Sequence, residues 1–358
     1  MTKGFATPEG TARYRDRFPQ LPGHFRRPEH VPGVGKLWLS SLGLGTYLGE
    51  PDDATDRAYT DAIDTALRSG VNVLDTAINY RHQRSERNIG AALKNLFSSG
   101  ELQRDEVLVC TKAGFLTFDG DMPANPREYF QREYIEREIM RPREIVGGIH
   151  CMTPEYLTNQ LERSRSNLDL ATIDVFYIHN PETQFSAVDR TSFYQRLRSA
   201  FNALEDAVEM DKIRYYGLAT WSGFRLGPGE RDYISLADVV KVARDLAGDG
   251  HHLRFLQLPF NLAMPEAFGL ANQNAAPGGD HPSSKTLFEA AHDAGIAVVG
   301  SATLYQAQLT RGLPEFIGQR LGMSRSDHVT ANLKTAARPP APPEQWTALF
   351  SQESGAQE

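Results

Sequence analysis

Short apolar runs alternate with amphipathic stretches along this chain, and that alternation constrains its fold more than any other feature. Seven apolar runs follow one another between residues 37 and 301, with helical periodicity between most of them. A repeated order of strand and helix is typical of a parallel sheet covered by helices. The sequence therefore predicts an α/β fold, a parallel barrel with seven readable βα units.

The boundaries of the predicted units can be read from the same pattern. Strands are predicted at residues 37–44, 71–74, 107–111, 173–178, 213–219, 253–260 and 296–301, and helices at 54–69, 85–97, 154–168, 192–210, 234–247 and 283–293. Residues 1–36 are rich in Pro, Gly, Arg and His and are predicted as an N-terminal extension. Residues 37–335 are predicted as the barrel, and 336–358 as a C-terminal tail.

Two segments depart from a regular barrel. Residues 115–153 form a long loop insertion after the third strand, far above the usual few residues of a βα connection. The insertion either covers the barrel mouth as a lid or serves as an ornament or subunit contact. Near the end, an eighth strand at 317–322 is weak, so the last βα unit is predicted to be compressed or incomplete.

The composition excludes several classes of protein. A net charge of -7 argues against nonspecific nucleic-acid binding, which needs a basic surface. No run approaches the roughly 18 apolar residues of a membrane span, and the first residues lack the apolar core of a secretory signal. Two cysteines in so long a chain favour a reduced, cytoplasmic protein over a disulfide scaffold.

Four polar residues stand at the ends of three successive predicted strands. Asp75 and Tyr80 follow the second strand, Lys112 follows the third, and His179 follows the fourth. The carboxyl ends of the strands of a parallel barrel meet at one mouth, where active sites are built. Each residue alone has an ordinary structural explanation, but together the four predict a catalytic site.

The chemistry available to these side chains is proton donation to a developing alkoxide. They lack the nucleophile–base pair of acyl transfer and the His and Cys spacing of a zinc site, so no metal is expected. A nearby ammonium lowers the pKa of a tyrosine, and Lys112 is the candidate for that role at Tyr80. Asp75 would hold the lysine, and His179 would orient the substrate oxygen.

The run from Gly70 to Tyr80, followed by Ser85-Glu86 and Ile89-Gly90, resembles the signature of the aldo/keto reductase superfamily. That resemblance implies a (β/α)8 TIM barrel, an Asp, Tyr, Lys and His tetrad, and NADPH bound across the mouth. It covers residues 37–115 and 154–334. A dinucleotide fingerprint of the Gly-x-Gly-x-x-Gly kind is absent after every predicted strand, so a Rossmann domain is not expected.

The resemblance also implies binding residues. Cofactor contacts would come from Gly45, Thr46, Thr220, Gln257, Ser301, Leu304, Ser324, Arg325 and Asn332. The family usually has Ser-Asn where this chain has Ala219-Thr220, and often an aromatic residue where it has Ser301. Tyr47 and Arg81 are candidate substrate contacts, although a side chain such as that of Arg81 is more often simply exposed.

These inferences predict an NAD(P)H-dependent oxidoreductase that reduces an aldehyde or ketone to an alcohol, or runs the reverse reaction. NADPH is the expected cofactor, with NADH possible, and a small carbonyl or alcohol compound is the expected partner. The sequence does not predict an oligomeric state. The alternative is a barrel of this family kept as a nucleotide-binding or regulatory protein with little redox activity.

Overall fold

Strands and helices alternate along the folded chain as the apolar runs predict. The structure, a computed structural model, describes residues 1–274, 283–303 and 325–337. The strands are β1 (Phe25–Arg26), β2 (Leu39–Ser40), β3 (Leu44–Gly45), β4 (Val73–Asp75), β5 (Leu108–Ala113), β6 (Ile173–His179), β7 (Ile213–Ala219), β8 (Leu253–Pro259), β9 (Gln273–Asn274), β10 (Ser283–Lys285) and β11 (Ala297–Ser301). The helices are α1 (Pro8–Arg15), α2 (Asp53–Arg68), α3 (Arg84–Ser98), α4 (Pro126–Phe130), α5 (Pro154–Leu168), α6 (Arg190–Glu209), α7 (Leu236–Ala247), α8 (Glu266–Gly269), α9 (Leu287–Asp293) and α10 (Ser326–Ala336). Within the described part of the chain, no helix is both long and apolar enough to span a bilayer.

Seven parallel strands form the central sheet, in the order β3-β4-β5-β6-β7-β8-β11. Their register pairs Asp75 with Cys110, Lys112 with Tyr177 and His179 with Ala219, so the carboxyl ends lie side by side. The predicted parallel α/β barrel fold is confirmed. The eighth strand predicted at 317–322 lies outside the described residues.

The barrel strands are apolar almost without interruption because both of their faces are covered. Every residue of β5, β6 and β8 is buried. Such runs are typical of parallel strands, since helices cover the outer face and side chains fill the barrel interior. The polar residues among them therefore need partners, and those at the carboxyl ends of the strands form the candidate site.

The first predicted strand, at residues 37–44, is wrong as a single element. Leu39–Ser40 pairs antiparallel with Phe25–Arg26, and only Leu44–Gly45 joins the barrel sheet beside β4. The Asn72 side chain explains the division, because its amide oxygen accepts from the Ser40 amide nitrogen at 2.8 Å. This bond holds Ser40 at the amino end of β4, away from the mouth.

The segment before the barrel packs across the end opposite the mouth. Val31 and Val34 are buried with the inward-facing Leu108 and Phe255. Tyr14 is fully buried, and its hydroxyl donates to the Leu67 carbonyl oxygen at 2.6 Å. Val31 and Val34 therefore close the lower end of the barrel, and Tyr14 packs against the last turn of α2. The domain boundary at residue 36 remains a prediction.

The insertion at 115–153 folds back on itself and carries its own small core. Its two ends are joined by hydrogen bonds from Leu116 N to Ile149 O and from Cys151 N to Gly114 O, both 2.8 Å. The buried members of its core are Tyr134, Met140, Cys151 and Tyr156. Since Tyr156 belongs to α5, the insertion is packed against the barrel wall as well as against itself.

The predicted helix at 283–293 begins later than expected. Ser283–Lys285 pairs antiparallel with Gln273–Asn274 as strand β10, and α9 starts at Leu287. Thr286 caps that helix by accepting from the Glu289 amide nitrogen at 3.3 Å, while the Glu289 carboxylate accepts from the Thr286 amide nitrogen at 2.8 Å. This reciprocal capping box fixes the first turn and thereby sets the boundary.

Candidate active site

The four polar residues predicted at the strand ends come together at the barrel mouth. Asp75, Lys112 and His179 lie at or near the carboxyl ends of the adjacent strands β4, β5 and β6. Tyr80 begins the short helical turn that follows β4. The Lys112 Nζ atom lies 2.6 Å from Asp75 Oδ2, so the centre of the group is an ion pair.

Lys112 is a buried ammonium with two close acceptors. Its side chain is 1% exposed, and Nζ also donates to the Thr76 carbonyl oxygen at 2.8 Å. Burial by itself lowers the pKa of Lys112, but the Asp75 carboxylate and the Tyr80 hydroxyl outweigh burial and raise it. Asp75 in turn accepts from the Gln257 amide nitrogen at 2.9 Å. The lysine therefore stays charged inside the site.

Tyr80 keeps its proton more firmly than the sequence predicted. Its ring centroid lies 5.1 Å from the Lys112 Nζ atom, close enough for the ammonium to stabilise a phenolate. Enclosure of the hydroxyl has the larger effect, however, and the pKa of Tyr80 is raised although Lys112 lowers it in part. The hydroxyl is therefore a proton donor for a strongly basic oxygen, such as an alkoxide as it forms.

His179 stands beside Tyr80 as a neutral imidazole. The two ring centroids lie 5.8 Å apart, and the Phe115 ring lies 5.0 Å from His179 on another side. Burial, with the positive charge of Lys112 and the neighbouring His150, holds the pKa of His179 well below its usual value. A neutral imidazole at physiological pH can orient an oxygen by a hydrogen bond without adding charge.

The sequence analysis did not identify two buried polar residues that hold the backbone or the neighbours of this group in place. His150, in the insertion, places Nε2 2.7 Å from the His179 carbonyl oxygen and is fully buried. Glu86 is buried as well, and its carboxyl accepts from the Thr111 hydroxyl at 2.6 Å and from the Asn167 amide at 2.8 Å. The apolar neighbours of His150 in the sequence, Ile149-His150-Cys151-Met152, were the available indication of its burial.

The two residues suggested as substrate contacts lie in different places. Tyr47 is 55% exposed, with its ring centroid 5.1 Å from that of Tyr80, so it lines the mouth. The Arg81 side chain is 1% exposed and is bonded to Asp56 at 2.5 Å and to Asn88 at 2.9 Å. Its backbone is left-handed, with φ 49°, and these bonds to residues of α2 and α3 tie the loop to the barrel wall. A substrate contact at Arg81 stays a prediction.

The residues at the carboxyl ends of the strands fit a bound nicotinamide. The Thr220 hydroxyl is buried without a hydrogen-bond partner among the described residues, and an added side-chain carbon at Gly45 would meet nothing within 4 Å. Gln257 uses its amide nitrogen on Asp75, which leaves its amide oxygen to accept a further bond. Thr46 donates to the Thr76 hydroxyl at 2.9 Å and can still act as an acceptor.

Two of the remaining cofactor candidates, Ser301 and Asn332, lie on β11 and α10. Ser301 ends β11 and is half-buried, and its carbonyl oxygen accepts from the Phe260 amide nitrogen at 3.1 Å. Arg325, just before α10, is exposed and faces Asp327 at 3.2 Å. The amide oxygen of Asn332 is buried without a partner within the described ranges, as expected where a ligand completes a site. Leu304 and Ser324 lie outside the described residues.

Fold and site together define a parallel α/β barrel with a titratable cluster at the carboxyl ends of three neighbouring strands. A model of the aldo/keto reductase family matches residues 41–226, slightly more than half of the chain. The chain belongs to the aldo/keto reductase family. The predicted resemblance is thereby confirmed.

Several curated reductases are similar to part of the chain. Aldose reductase B of Dictyostelium discoideum is 38% identical over 214 residues, covering 58% of this chain and 54% of that protein. Versiconal hemiacetal acetate reductase of Aspergillus parasiticus is 29% identical over 194 residues, covering 52% and 49%. The NADH-specific methylglyoxal reductase of Escherichia coli is 28% identical over 152 residues, covering 41% and 40%. The chain thus spans about half the length of the curated relatives it matches.

Solved structures support the fold over a longer stretch. An aldo/keto reductase from Klebsiella pneumoniae in complex with NADP and acetate superposes with a TM-score of 0.54 at 17% identity, over 90% of this chain and 94% of that one. The holo form of an aldo-keto reductase from Bacillus halodurans gives a TM-score of 0.57 at 18% identity, over 91% and 95%. At these identities the similarity establishes the fold alone.

Proposed function

We propose that this protein is an NADPH-dependent oxidoreductase that reduces an aldehyde or ketone to an alcohol, or catalyses the reverse reaction. The observation that carries the proposal is the arrangement around Tyr80. The Nζ atom of the buried Lys112, which is paired with Asp75, lies 5.1 Å from the Tyr80 ring centroid, and the ring centroid of a neutral His179 lies 5.8 Å from it. Membership of the aldo/keto reductase family and relatives named as reductases support the same reaction class.

The chain's own residues supply the proton side of the reaction. When bound, the reduced nicotinamide supplies the hydride. As negative charge develops on the substrate oxygen, the Tyr80 hydroxyl donates its proton there, and the Lys112 ammonium stabilises the phenolate that remains. Asp75 holds Lys112 in place at 2.6 Å, and His179 orients the oxygen by a hydrogen bond. In the reverse direction the phenolate accepts the proton of the alcohol.

NADPH is the proposed cofactor, with NADH as the second candidate. Arg325 is exposed beside α10 and carries the positive charge that would pair with a ribose phosphate. Two neighbours from Klebsiella pneumoniae are described with NADP or NADPH, whereas one relative is named NADH-specific. The buried Thr220 and Asn332 would serve either nucleotide, since both side chains are neutral and neither would pair with the ribose phosphate.

The direct test replaces Tyr80 with Phe, which removes one oxygen atom and leaves the ring. Proton donation by a positioned side chain contributes roughly 10²–10⁴-fold, so we expect turnover of a carbonyl panel to fall by about that factor. Nucleotide affinity should change little. Tyr215→Phe is the matched control, because Tyr215 is half-buried at the opposite end of the barrel against Phe255. Unchanged turnover in Tyr80→Phe would refute the assignment.

The second candidate function is nucleotide binding without catalysis. It is favoured by the buried Ala219, which offers no polar side chain where the family usually has one. Tight binding of NADPH, combined with no turnover of any aldehyde or ketone and no oxidation of alcohols, would establish that role.

A further inference from the structure

Asn79, which precedes Tyr80, contacts the ring of His179 and has no role in the four-residue group. Its Oδ1 atom lies 3.2 Å from His179 Nδ1. A neutral imidazole carries a single proton, on one nitrogen or the other. The partner of Nδ1 therefore decides whether Nε2 can donate a hydrogen bond or only accept one.

His150 fixes the backbone of His179 but leaves the ring free. Its Nε2 atom lies 2.7 Å from the His179 carbonyl oxygen, which can only accept, so His150 carries its proton on Nε2. Its Nδ1 atom then accepts from the Gln184 amide at 2.8 Å. Burial lowers the pKa of His150 to about 4, which keeps it neutral in this arrangement.

The other neighbours of the His179 ring pack against it without hydrogen bonds. Phe115 meets it edge-on at 86° and Tyr80 at 77°. Among the described residues, Asn79 is thus the single hydrogen-bond partner of the imidazole, and none of them bonds to Nε2.

We propose that Asn79 is a positioning residue whose amide selects the tautomer of His179. With the amide oxygen towards Nδ1, the ring carries its proton there, and Nε2 can only accept. With the amide nitrogen towards Nδ1, the proton lies on Nε2, which can donate to the substrate oxygen. Both directions of the reaction pass through one transition state, so this second tautomer serves both, and Tyr80 alone exchanges the hydroxyl proton of the alcohol. The catalytic part of this inference rests on the proposed function.

The tautomer itself can be measured without turnover, by ¹⁵N NMR of the His179 ring in the full chain. Two variants of similar size separate the effects. Asn79→Asp can only accept, so we expect the proton to be fixed on Nδ1 and the pKa of His179 to rise. Asn79→Leu offers no partner, so we expect the ring to exchange between tautomers and the two ¹⁵N shifts to move towards each other.

The pH dependence gives the second measurement. The titratable groups facing His179 are Lys112, Tyr80 and His150. In Asn79→Asp we expect kcat/KM for carbonyl reduction to gain an inflection where His179 titrates, which the other variant should lack. In Asn79→Leu we expect kcat to fall roughly tenfold to a hundredfold, as when other orienting hydrogen bonds are removed.

The outcomes separate this inference from the proposed function. Unchanged His179 ring shifts in both variants, with urea midpoints close to that of the parent protein, would overturn the tautomer role. Lowered turnover with unchanged shifts would show that Asn79 acts only on local structure, which also overturns it. If the parent protein reduces no carbonyl, the proposed function fails, while the NMR measurement still decides the tautomer.

Discussion

The buried Lys112–Asp75 pair allows the sharpest quantitative prediction. Asp75→Asn keeps the shape of the side chain and removes its charge, which leaves the Lys112 ammonium buried without its counter-ion. Breaking a buried ion pair by removing one partner costs about 3–5 kcal/mol. The Asp75 side chain is 20% exposed, and Lys112 keeps its bond to the Thr76 carbonyl oxygen. We therefore expect the lower end of that range, about 3 kcal/mol of the free energy of unfolding.

The same reasoning makes a prediction for the double variant Asp75→Asn/Lys112→Met. Removing the stranded ammonium should restore much of the stability, because an apolar side chain of similar length needs no counter-ion. The two changes should therefore be strongly non-additive in a double-mutant cycle. Urea unfolding followed by circular dichroism gives the free energies of unfolding of the parent, the two single variants and the double variant. The dependence of each free energy on urea concentration should be the same in all four proteins.

The Lys241–Asp245 pair provides the matched control. Its atoms lie 2.5 Å apart, but the side chains are 54% and 47% exposed on α7. An exposed pair at this helical spacing contributes about 0.3–0.5 kcal/mol. If Asp75→Asn costs no more than Asp245→Asn, or if the double variant equals the sum of its single changes, burial does not govern the pair and the reasoning is refuted.

Three further perturbations test other parts of the site. Glu86→Ala should lower the free energy of unfolding by about 1–3 kcal/mol in urea melts, because the Thr111 and Asn167 donors lose their buried acceptor. Glu86→Gln should recover part of that free energy. If Glu86→Ala leaves the stability unchanged, the two hydrogen bonds do not stabilise the fold. The pKa of His150 is about 4 in the fold, so protonation as pH falls from about 6.5 to about 4 favours the unfolded chain by up to about 3 kcal/mol; His150→Gln should flatten that part of the stability profile, and an unchanged slope would contradict it. Arg325→Ala should weaken NADPH binding in fluorescence titrations and leave NADH binding unchanged. An equal loss of affinity for both nucleotides would show that Arg325 does not bind the ribose phosphate.

The sequence predicted the parts of the fold that local patterns dictate. Continuous apolar runs identified β5, β6, β7 and β8 to within a residue or two, because parallel barrel strands are buried on both faces. Amphipathic spacing likewise identified α2, α3 and α5, whose ends are set by caps such as Thr153 before Pro154. Residues that bring charge to a strand end, above all Lys112, could be found by the same pattern.

What the sequence did not predict depends on contacts between distant segments. The pairing of β1 with β2 follows from how residues before the barrel cross its lower end, which no local period encodes. Arg81 looked exposed because its sequence context gives no sign of the left-handed turn that directs it to Asp56. His150 and Asn79 act on His179 across 29 and 100 residues, so their roles appear only when the strands are assembled.

Whether the pKa of Tyr80 is raised or lowered could be decided only from the structure. The placement of Lys112 and Tyr80 after neighbouring predicted strands predicts a lowered pKa for Tyr80, because a positive charge lowers the pKa of a phenol. In the fold, enclosure of the hydroxyl has the larger effect and the pKa is raised. Which effect wins depends on burial, which is a property of the assembled mouth and of no single motif.

The most direct test of the central claim is a titration of the full chain with NADPH, followed by nicotinamide fluorescence and then by addition of an aldehyde and ketone panel. We expect saturable binding in the micromolar range and oxidation of the bound nucleotide by at least one carbonyl compound, with equal amounts of alcohol formed. Absence of binding to both NADPH and NADH would contradict it, because the four residues at the mouth would then stand on a barrel that cannot hold a hydride donor.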